Sequence, residues 1–209
     1  MGAGCYVNER RDLLVIGNYC ENNCFPIHGG CASSKDEALK DTTMCELRPE
    51  CDDPFLVSMD QIKNAINNAI GKEHSIFLYV PDMFNDLYFN HILAKLPDNP
   101  KAKIAINGCV KTFKEKADWE ELKRKGIYEV WLGVESGSKK LRKIYNKLPF
   151  SNKDIAKITE KGRSIGVNIC WFLVDGEEDT QETRLETYTL LREAQPFKFH
   201  FSALQVYQI

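Results

Sequence analysis

The feature that most constrains the fold of this chain is a regular alternation of short apolar segments with amphipathic helical segments. The apolar segments, such as residues 75–80 and 167–174, are apolar almost throughout and lack the alternation that marks a half-exposed strand. Strands that are apolar on both faces are typical of parallel sheets covered by helices. The pattern therefore predicts an α/β fold with parallel strands.

Periodicity and turn residues give approximate bounds for the elements. We predict strands over residues 13–17, 75–80, 102–107, 127–134, 167–174 and 199–206. We predict helices over residues 58–70, 85–96, 118–125, 138–145, 152–164 and 180–194. Ser58 and Gln61 match a capping box, and Gly71 suits the position after that helix. Six such strands fit a partial β/α barrel or an open doubly wound sheet, and periodicity does not separate the two.

A long segment from Cys20 to Phe55 interrupts this rhythm. Loops of more than about 15 residues without periodicity are usually functional or disordered. Six of the eight cysteines lie in the first quarter of the chain: Cys5, Cys20, Cys24, Cys31, Cys45 and Cys51. No signal peptide and no apolar run long enough to span a membrane is evident, so we expect a cytoplasmic protein with reduced thiols. Clustered cysteines then indicate a metal site.

Two metal sites are compatible with these cysteines. The run Cys20-Glu-Asn-Asn-Cys24-Phe-Pro-Ile-His28-Gly-Gly-Cys31 follows a predicted strand, and three thiolates there can hold three irons of a 4Fe–4S cluster. A structural zinc site would instead use Cys20, Cys24, Cys45 and Cys51. Spacing alone leaves both alternatives open.

The end of the fourth predicted strand carries polar residues, in the run Gly-Val-Glu-Ser-Gly-Ser at residues 133–138. Glu135 and Ser136 can accept hydrogen bonds from ribose hydroxyls or from an ammonium group. The alternative is structural: Glu135 pairs with Lys139 or Lys140, and Ser138 caps the next helix. After the fifth strand, Asp179 and Thr180 suit the start of a helix, where capping is the simpler explanation.

Taken together, these segments resemble the radical S-adenosylmethionine (radical SAM) superfamily, over nearly all of residues 12–209. The resemblance is nearest to the branch of cobalamin-dependent methylases and methylthiotransferases, and residues 133–138 are its most specific motif. It implies a partial (β/α)6 TIM-type barrel, preceded by an N-terminal extension at residues 1–11. The family spaces its cysteines Cys-x3-Cys-x2-Cys, whereas this chain has Ile27 at the third place and His28 after it. Cys31 is the favoured third ligand, with His28 and then Cys45 as rivals.

The resemblance implies a mechanism. Cys20, Cys24 and Cys31 ligate a 4Fe–4S cluster that binds and reductively cleaves S-adenosylmethionine. Glu135 and Ser136 contact the ribose or the amino group of S-adenosylmethionine. The resulting 5′-deoxyadenosyl radical abstracts hydrogen from an unidentified substrate, and the electron comes from a donor such as flavodoxin or ferredoxin.

Other details of the sequence limit this transfer. Strand-end residues Asn107, Cys109 and Trp171 are either substrate-facing or, more commonly, core residues. Asp175 and Asp179 stand where relatives often carry Gly and Glu. Residues 1–11 are too few for a cobalamin-binding domain, so we expect no dependence on cobalamin unless the chain is a fragment.

Two other functions stay open. The first is a methylthiotransferase or methyltransferase acting on RNA or protein. A methylthiotransferase would need a second cluster, for which Cys5, Cys45 and Cys51 are the candidates. The second is a zinc-stabilised, non-enzymatic binding module. The net charge of −2 gives no indication of a nucleic-acid or membrane partner.

Overall fold

The computed structural model describes residues 10–16, 56–147 and 149–203, which form one curled, half-closed barrel. Its sheet has six parallel strands in the order of the chain, β1 to β6. The strands are Arg11–Val15 (β1), Ser75–Tyr79 (β2), Ile104–Cys109 (β3), Ile127–Glu135 (β4), Asn168–Asp175 (β5) and Lys198–Ala203 (β6). A doubly wound sheet reverses its strand order at a switch point, and this sheet does not. The partial (β/α)6 barrel is therefore confirmed.

In the part of the chain that the structure describes, seven α-helices lie between these strands. They are Met59–Gly71 (α1), Asp86–His91 (α2), Val110–Lys116 (α3), Trp119–Arg124 (α4), Lys139–Ile144 (α5), Asn152–Ile165 (α6) and Gln181–Ala194 (α7). The longer helices begin at side-chain caps: Ser58 with Gln61, Ser151 with Asp154, and Thr180 with Thr183. None of the helices in this described part of the chain is both long and apolar enough to cross a membrane.

Two of the predicted helices need correction, and one helix was missed. Gly71 is the last residue of α1 and Lys72 is its C-cap, so the glycine does not follow the helix. The helix predicted at residues 85–96 is a short α2 followed by a 3-10 turn at Leu93–Lys95. Helix α3 was not predicted, because its N-cap residue Cys109 makes no side-chain capping hydrogen bond and cysteine gives no capping signal in the sequence.

The main core lies between the sheet and the helices. On β4, Val130, Leu132 and Val134 are buried in this layer, and Trp171 on β5 joins them. Because side chains alternate along a strand, Glu129, Trp131 and Gly133 lie on the opposite, concave face. The concave face is the interior of the half-barrel, and its surface near the ends of the strands is where such folds bind ligands.

The concave face is filled near the beginning of the strands by a charged cluster. Arg11 Nη1 on β1 donates to Glu129 Oε1 at 2.7 Å, and Trp131 Nε1 donates to the same oxygen at 2.7 Å. Lys198 Nζ on β6 lies 3.5 Å from Glu129 Oε2. These contacts connect the first and last strands of the sheet to β4 across the interior. They fill the interior near the beginning of the strands.

Candidate active site at the C-terminal edge of the sheet

The long cysteine-bearing segment starts and returns at the C-terminal end of β1. Ile16 follows β1, and its N–H donates to the carbonyl of Tyr79 on β2 at 2.9 Å. Val57 N–H then donates to the carbonyl of Ile16 at 2.8 Å, immediately before α1. The predicted ligands Cys20, Cys24 and Cys31, their rivals His28 and Cys45, and also Cys5 and Cys51, lie outside the described residues. The two ends of their segment meet at the edge where all six parallel strands end.

A buried ion pair stands at the end of β4. Glu135 Oε1 lies 2.9 Å from Lys147 Nζ, with only 8% of the glutamate side chain and 11% of the lysine side chain exposed. The structural alternative, in which Glu135 pairs with Lys139 or Lys140, is therefore wrong in its choice of lysine. The backbone at Glu135 has a φ of 63°, the left-handed conformation that non-glycine residues rarely adopt. That conformation turns the carboxylate back over the strand toward Gly133.

Gly133 makes room for this carboxylate. A Cβ atom at residue 133 would lie 2.6 Å from Glu135 Oε1 and 3.8 Å from Lys147 Nζ. Four residues on neighbouring strands lie side by side in the sheet and form a row across its concave face: Cys109 on β3, Gly133 on β4, Phe172 on β5 and His200 on β6. The Phe172 ring packs 4.8 Å from Trp131 and 6.5 Å from His200, centroid to centroid. The carboxylate thus lies over Gly133, whose register partner on β5 is Phe172.

The hydroxyl of Ser136 is used inside the protein. Ser136 Oγ lies 3.0 Å from Thr187 Oγ1 on α7 and accepts the N–H of Ser138 at 3.0 Å. Thr187 Oγ1 also accepts the N–H of Gly137 at 2.9 Å. These bonds hold the loop after β4 against α7. Ser138 is the N-cap of α5, but its side chain makes no capping hydrogen bond, so that part of the expectation is wrong.

Arg142 fixes the same loop from α5. It is buried, and its Nη1 donates to the carbonyl of Ser136 at 2.6 Å while its guanidinium lies 5.2 Å from the centre of the Phe150 ring. Burial lowers the pKa of Arg142 to about 10, although the charge of Glu186 opposes the shift. The group remains protonated at neutral pH, so it serves as a permanent donor to the loop carbonyl.

Asp82 is a buried carboxylate at the same edge that sequence reasoning missed. Its Oδ1 accepts the N–H groups of Phe84 and Cys109, each at 3.1 Å, and its Oδ2 accepts the hydroxyl of Thr112 at 2.8 Å. Burial raises the pKa of Asp82, and these hydrogen bonds only partly offset the effect. The sequence shows only that Asp82 comes shortly after β2, behind Val80 and Pro81, and this position does not by itself indicate that the carboxylate is buried.

Asn107 and Trp171 have structural roles. The Asn107 side chain bonds both the N–H and the carbonyl of Val80, which joins the ends of β2 and β3. Trp171 lies on the helix side of the sheet, where its Nε1 donates to Thr159 Oγ1 on α6 at 3.2 Å. Trp171 thus points away from the concave face. Asn107 is the register partner of Trp131 and lies on the concave side, but its amide is used by the backbone of Val80. Cys109 is half-buried in the row described above.

The acidic loop after β5 also stabilises itself. Asp179 accepts the N–H of Gly176 at 3.0 Å and the hydroxyl of Thr183 at 3.1 Å, and Thr180 caps α7 as expected. Asp175 pairs with Arg184 at 2.8 Å. These acids therefore fix the start of α7. Within the ranges 10–16, 56–147 and 149–203, no three His, Cys, Asp or Glu residues come together as a metal site.

No protein-family model and no curated protein sequence matches this chain. Solved structures do match it. Coproporphyrinogen III oxidase HemN from Escherichia coli, a radical SAM enzyme, is 16% identical with a TM-score of 0.57, over 94% of this chain and 44% of HemN. The radical SAM methyltransferase TsrM from Kitasatospora setae, solved with tryptophan and a SAM analogue, is 13% identical with a TM-score of 0.64, over 93% of this chain and 36% of TsrM.

SuiB from Streptococcus suis, solved with S-adenosylmethionine bound, is 10% identical with a TM-score of 0.61, over 96% of this chain and 42% of SuiB. At these identities the similarity establishes the fold: the chain has the partial barrel of radical SAM enzymes, and the predicted resemblance is confirmed at that level. The chain spans less than half the length of each of these three proteins.

Proposed function

We propose that this chain is the barrel of a radical SAM enzyme that cleaves S-adenosylmethionine and uses the product to abstract hydrogen from a substrate. The observation that carries the proposal is the arrangement at the C-terminal edge. The cysteine-bearing segment leaves and re-enters the fold there, through the bond between Ile16 and Val57. The buried carboxylate of Glu135 lies at the same edge.

The residues present fit S-adenosylmethionine. Its ribose offers hydroxyl donors, and a buried carboxylate such as that of Glu135 is a strong acceptor for them. Gly133 leaves the space into which the Glu135 carboxylate turns. The ligand is taken up at this edge because the charged cluster around Glu129 fills the lower interior.

Cys20, Cys24 and Cys31 would hold the 4Fe–4S cluster, since thiolate suits iron–sulfur ligation better than imidazole. His28 and Cys45 are the alternatives for the third position. When bound, the cluster supplies the electron that cleaves the sulfonium of S-adenosylmethionine and yields the 5′-deoxyadenosyl radical. An electron donor such as flavodoxin or ferredoxin would supply that electron.

The protein's own residues bind, orient and shield. Glu135 accepts from the ribose or from the amino group. Ser136 acts through the loop, because its hydroxyl already bonds Thr187 and the N–H of Ser138. The aromatic surface of Trp131 and Phe172 excludes water from the interior.

Metal analysis separates this function from a zinc-stabilised binding module. After anaerobic reconstitution we expect about four irons and four sulfides per chain, with brown absorbance. Cys31→Ala should lose the iron and His28→Ala should retain it, whereas the reverse result would make His28 the third ligand. Zinc without iron would contradict the enzymatic proposal, and about eight irons would favour a methylthiotransferase with a second cluster.

Glu135→Gln tests the carboxylate. The variant keeps the size of the side chain but loses its charge, so binding of S-adenosylmethionine should weaken roughly tenfold. Glu120→Gln, an exposed change at the start of α4, is the matched control and should bind as the wild type does.

A further inference from the structure

The ion pair between Lys147 and Glu135 is buried, in contrast to the ion pairs at the surface of this protein. Arg124 and Asp98, for instance, are each more than half exposed, whereas nine-tenths of Glu135 and Lys147 is buried. Burying two charges costs desolvation energy that their attraction often fails to recover. The pair is therefore poorly explained as a device for stability, and a role in placing the carboxylate explains it better.

The backbone adopts a left-handed conformation at Glu135, with a φ of 63°, and again at Asn146, immediately before Lys147, with a φ of 54°. At Asn146 this is an ordinary end of helix α5, where the N–H groups of Asn146 and Lys147 donate to carbonyls of the last turn, and Asn is common at such a position. At Glu135 the conformation is uncommon, and non-glycine residues held in it cluster at functional sites. Both turns bring the two side chains toward each other over Gly133, whose missing Cβ leaves the space.

A closed set of hydrogen bonds fixes the lysine relative to the glutamate. Lys147 N–H donates to the carbonyl of Arg142 at 2.7 Å, and the Arg142 guanidinium donates to the carbonyl of Ser136 at 2.6 Å. Ser136 follows Glu135 in the chain, and Lys147 Nζ returns to the Glu135 carboxylate. The position of the ammonium is thus set by the same loop that carries the carboxylate.

We propose that Lys147 is a positioning residue that holds the Glu135 carboxylate so that it accepts a ribose hydroxyl of S-adenosylmethionine. The inference rests on the proposed function. Lys147 contacts Oε1, and a carboxylate has further lone pairs on its second oxygen for a ligand. Because the ammonium neutralises the carboxylate, a second ammonium placed beside it would be repelled. The pair therefore selects the neutral ribose over the positively charged amino group.

The test measures dissociation constants by equilibrium dialysis on the reconstituted protein. The two probes are S-adenosylmethionine and its analogue without the ribose 2′-hydroxyl. The wild type should bind S-adenosylmethionine about tenfold more tightly than the analogue, and Lys147→Met should lose this preference by weakening only the former. Lys147→Arg should restore it to within about threefold, since the charge returns. Lys143→Met, an exposed change in α5, is the control and should behave as the wild type.

A second variant covers the possibility that Lys147→Met does not fold. Gly133→Ala keeps the lysine and places a methyl group 2.6 Å from Glu135 Oε1, which displaces the carboxylate, so it should also abolish the preference for the 2′-hydroxyl. In turnover, both variants should raise KM with little change in kcat, because the contact is made before and during the reaction.

The outcomes separate the two proposals. Wild-type protein with a full cluster that binds neither probe contradicts the proposed function. The positioning role is overturned if the wild type distinguishes the two probes and a folded Lys147→Met or Gly133→Ala variant distinguishes them equally well. That result leaves the proposed function standing.

Discussion

Removing the carboxylate of Glu129 should destabilise the barrel more than any single surface change. The Glu129 side chain is fully buried, and it accepts from Arg11 Nη1 and Trp131 Nε1, each at 2.7 Å. Breaking a buried ion pair costs about 3–5 kcal/mol. Arg11 is 23% exposed and keeps part of its hydration, so we expect about 3 kcal/mol for Glu129→Ala. For a chain of 209 residues this corresponds to a fall in Tm of roughly 6–12 °C.

The assay is urea unfolding of the cluster-free protein, followed by circular dichroism. A double-mutant cycle of Glu129→Gln with Arg11→Met isolates the pair, and we expect a coupling energy of about 1–2 kcal/mol. Arg124→Met with Asp98→Asn is the matched exposed pair and should couple by less than about 0.5 kcal/mol. Equal coupling in the two cycles would refute the claim that Glu129 holds the sheet together across the interior.

The same pair should make stability depend on pH. Burial alone would raise the pKa of Glu129, but the hydrogen bonds from Arg11 and Trp131 and the charges of Arg11 and Lys198 outweigh it, so the pKa lies below its ordinary value. The stabilisation is therefore present above the pKa of the unfolded chain and is lost as pH falls through the pKa of the folded protein. The difference between wild type and Glu129→Gln should shrink below about pH 4, and a constant difference would contradict this account.

Three further predictions concern the C-terminal edge and the core. Asp82→Ala should cost about 2–3 kcal/mol in urea unfolding because two buried N–H groups lose their acceptor, whereas Asp82→Asn should cost less than about 1 kcal/mol. Since burial raises the pKa of Asp82, the wild type should lose stability relative to Asp82→Asn as pH rises through the folded pKa, and no pH trend would contradict this. Gly137→Ala should cost about 1–3 kcal/mol, because its Cβ would lie 2.5 Å from the Cα of Thr187; an unchanged urea midpoint would show that the loop can move away from α7. In native protein iodoacetamide should modify Cys109 well before Cys170, whose thiol pKa is raised by burial, as peptide mass mapping can check; equal rates would mean that β5 opens readily.

Much of the fold follows from the sequence because apolar strands and capped helices leave strong local signals. Ser58 with Gln61 and Thr180 with Thr183 begin their helices where the sequence indicates. Helix α3 leaves no such signal, since Cys109 does not cap it. The choice of a barrel over an open sheet depends on strand order, which is a property of the whole chain and not of any segment.

The site is less accessible to sequence reasoning. The position of Glu135 at a strand end could be predicted, but its partner could not. Helical spacing favours Lys139 or Lys140, whereas the left-handed backbone at Glu135 directs the carboxylate to Lys147. Asp82 was overlooked because its importance comes from burial between two strands, which no local pattern reports.

The formation of 5′-deoxyadenosine tests the central claim most directly. Protein reconstituted anaerobically with iron and sulfide, reduced, and supplied with S-adenosylmethionine should release 5′-deoxyadenosine. Cys20→Ala and Cys24→Ala should abolish the product, since each removes a cluster ligand. Full cluster occupancy without any 5′-deoxyadenosine, with reductant and S-adenosylmethionine in excess, would contradict the account.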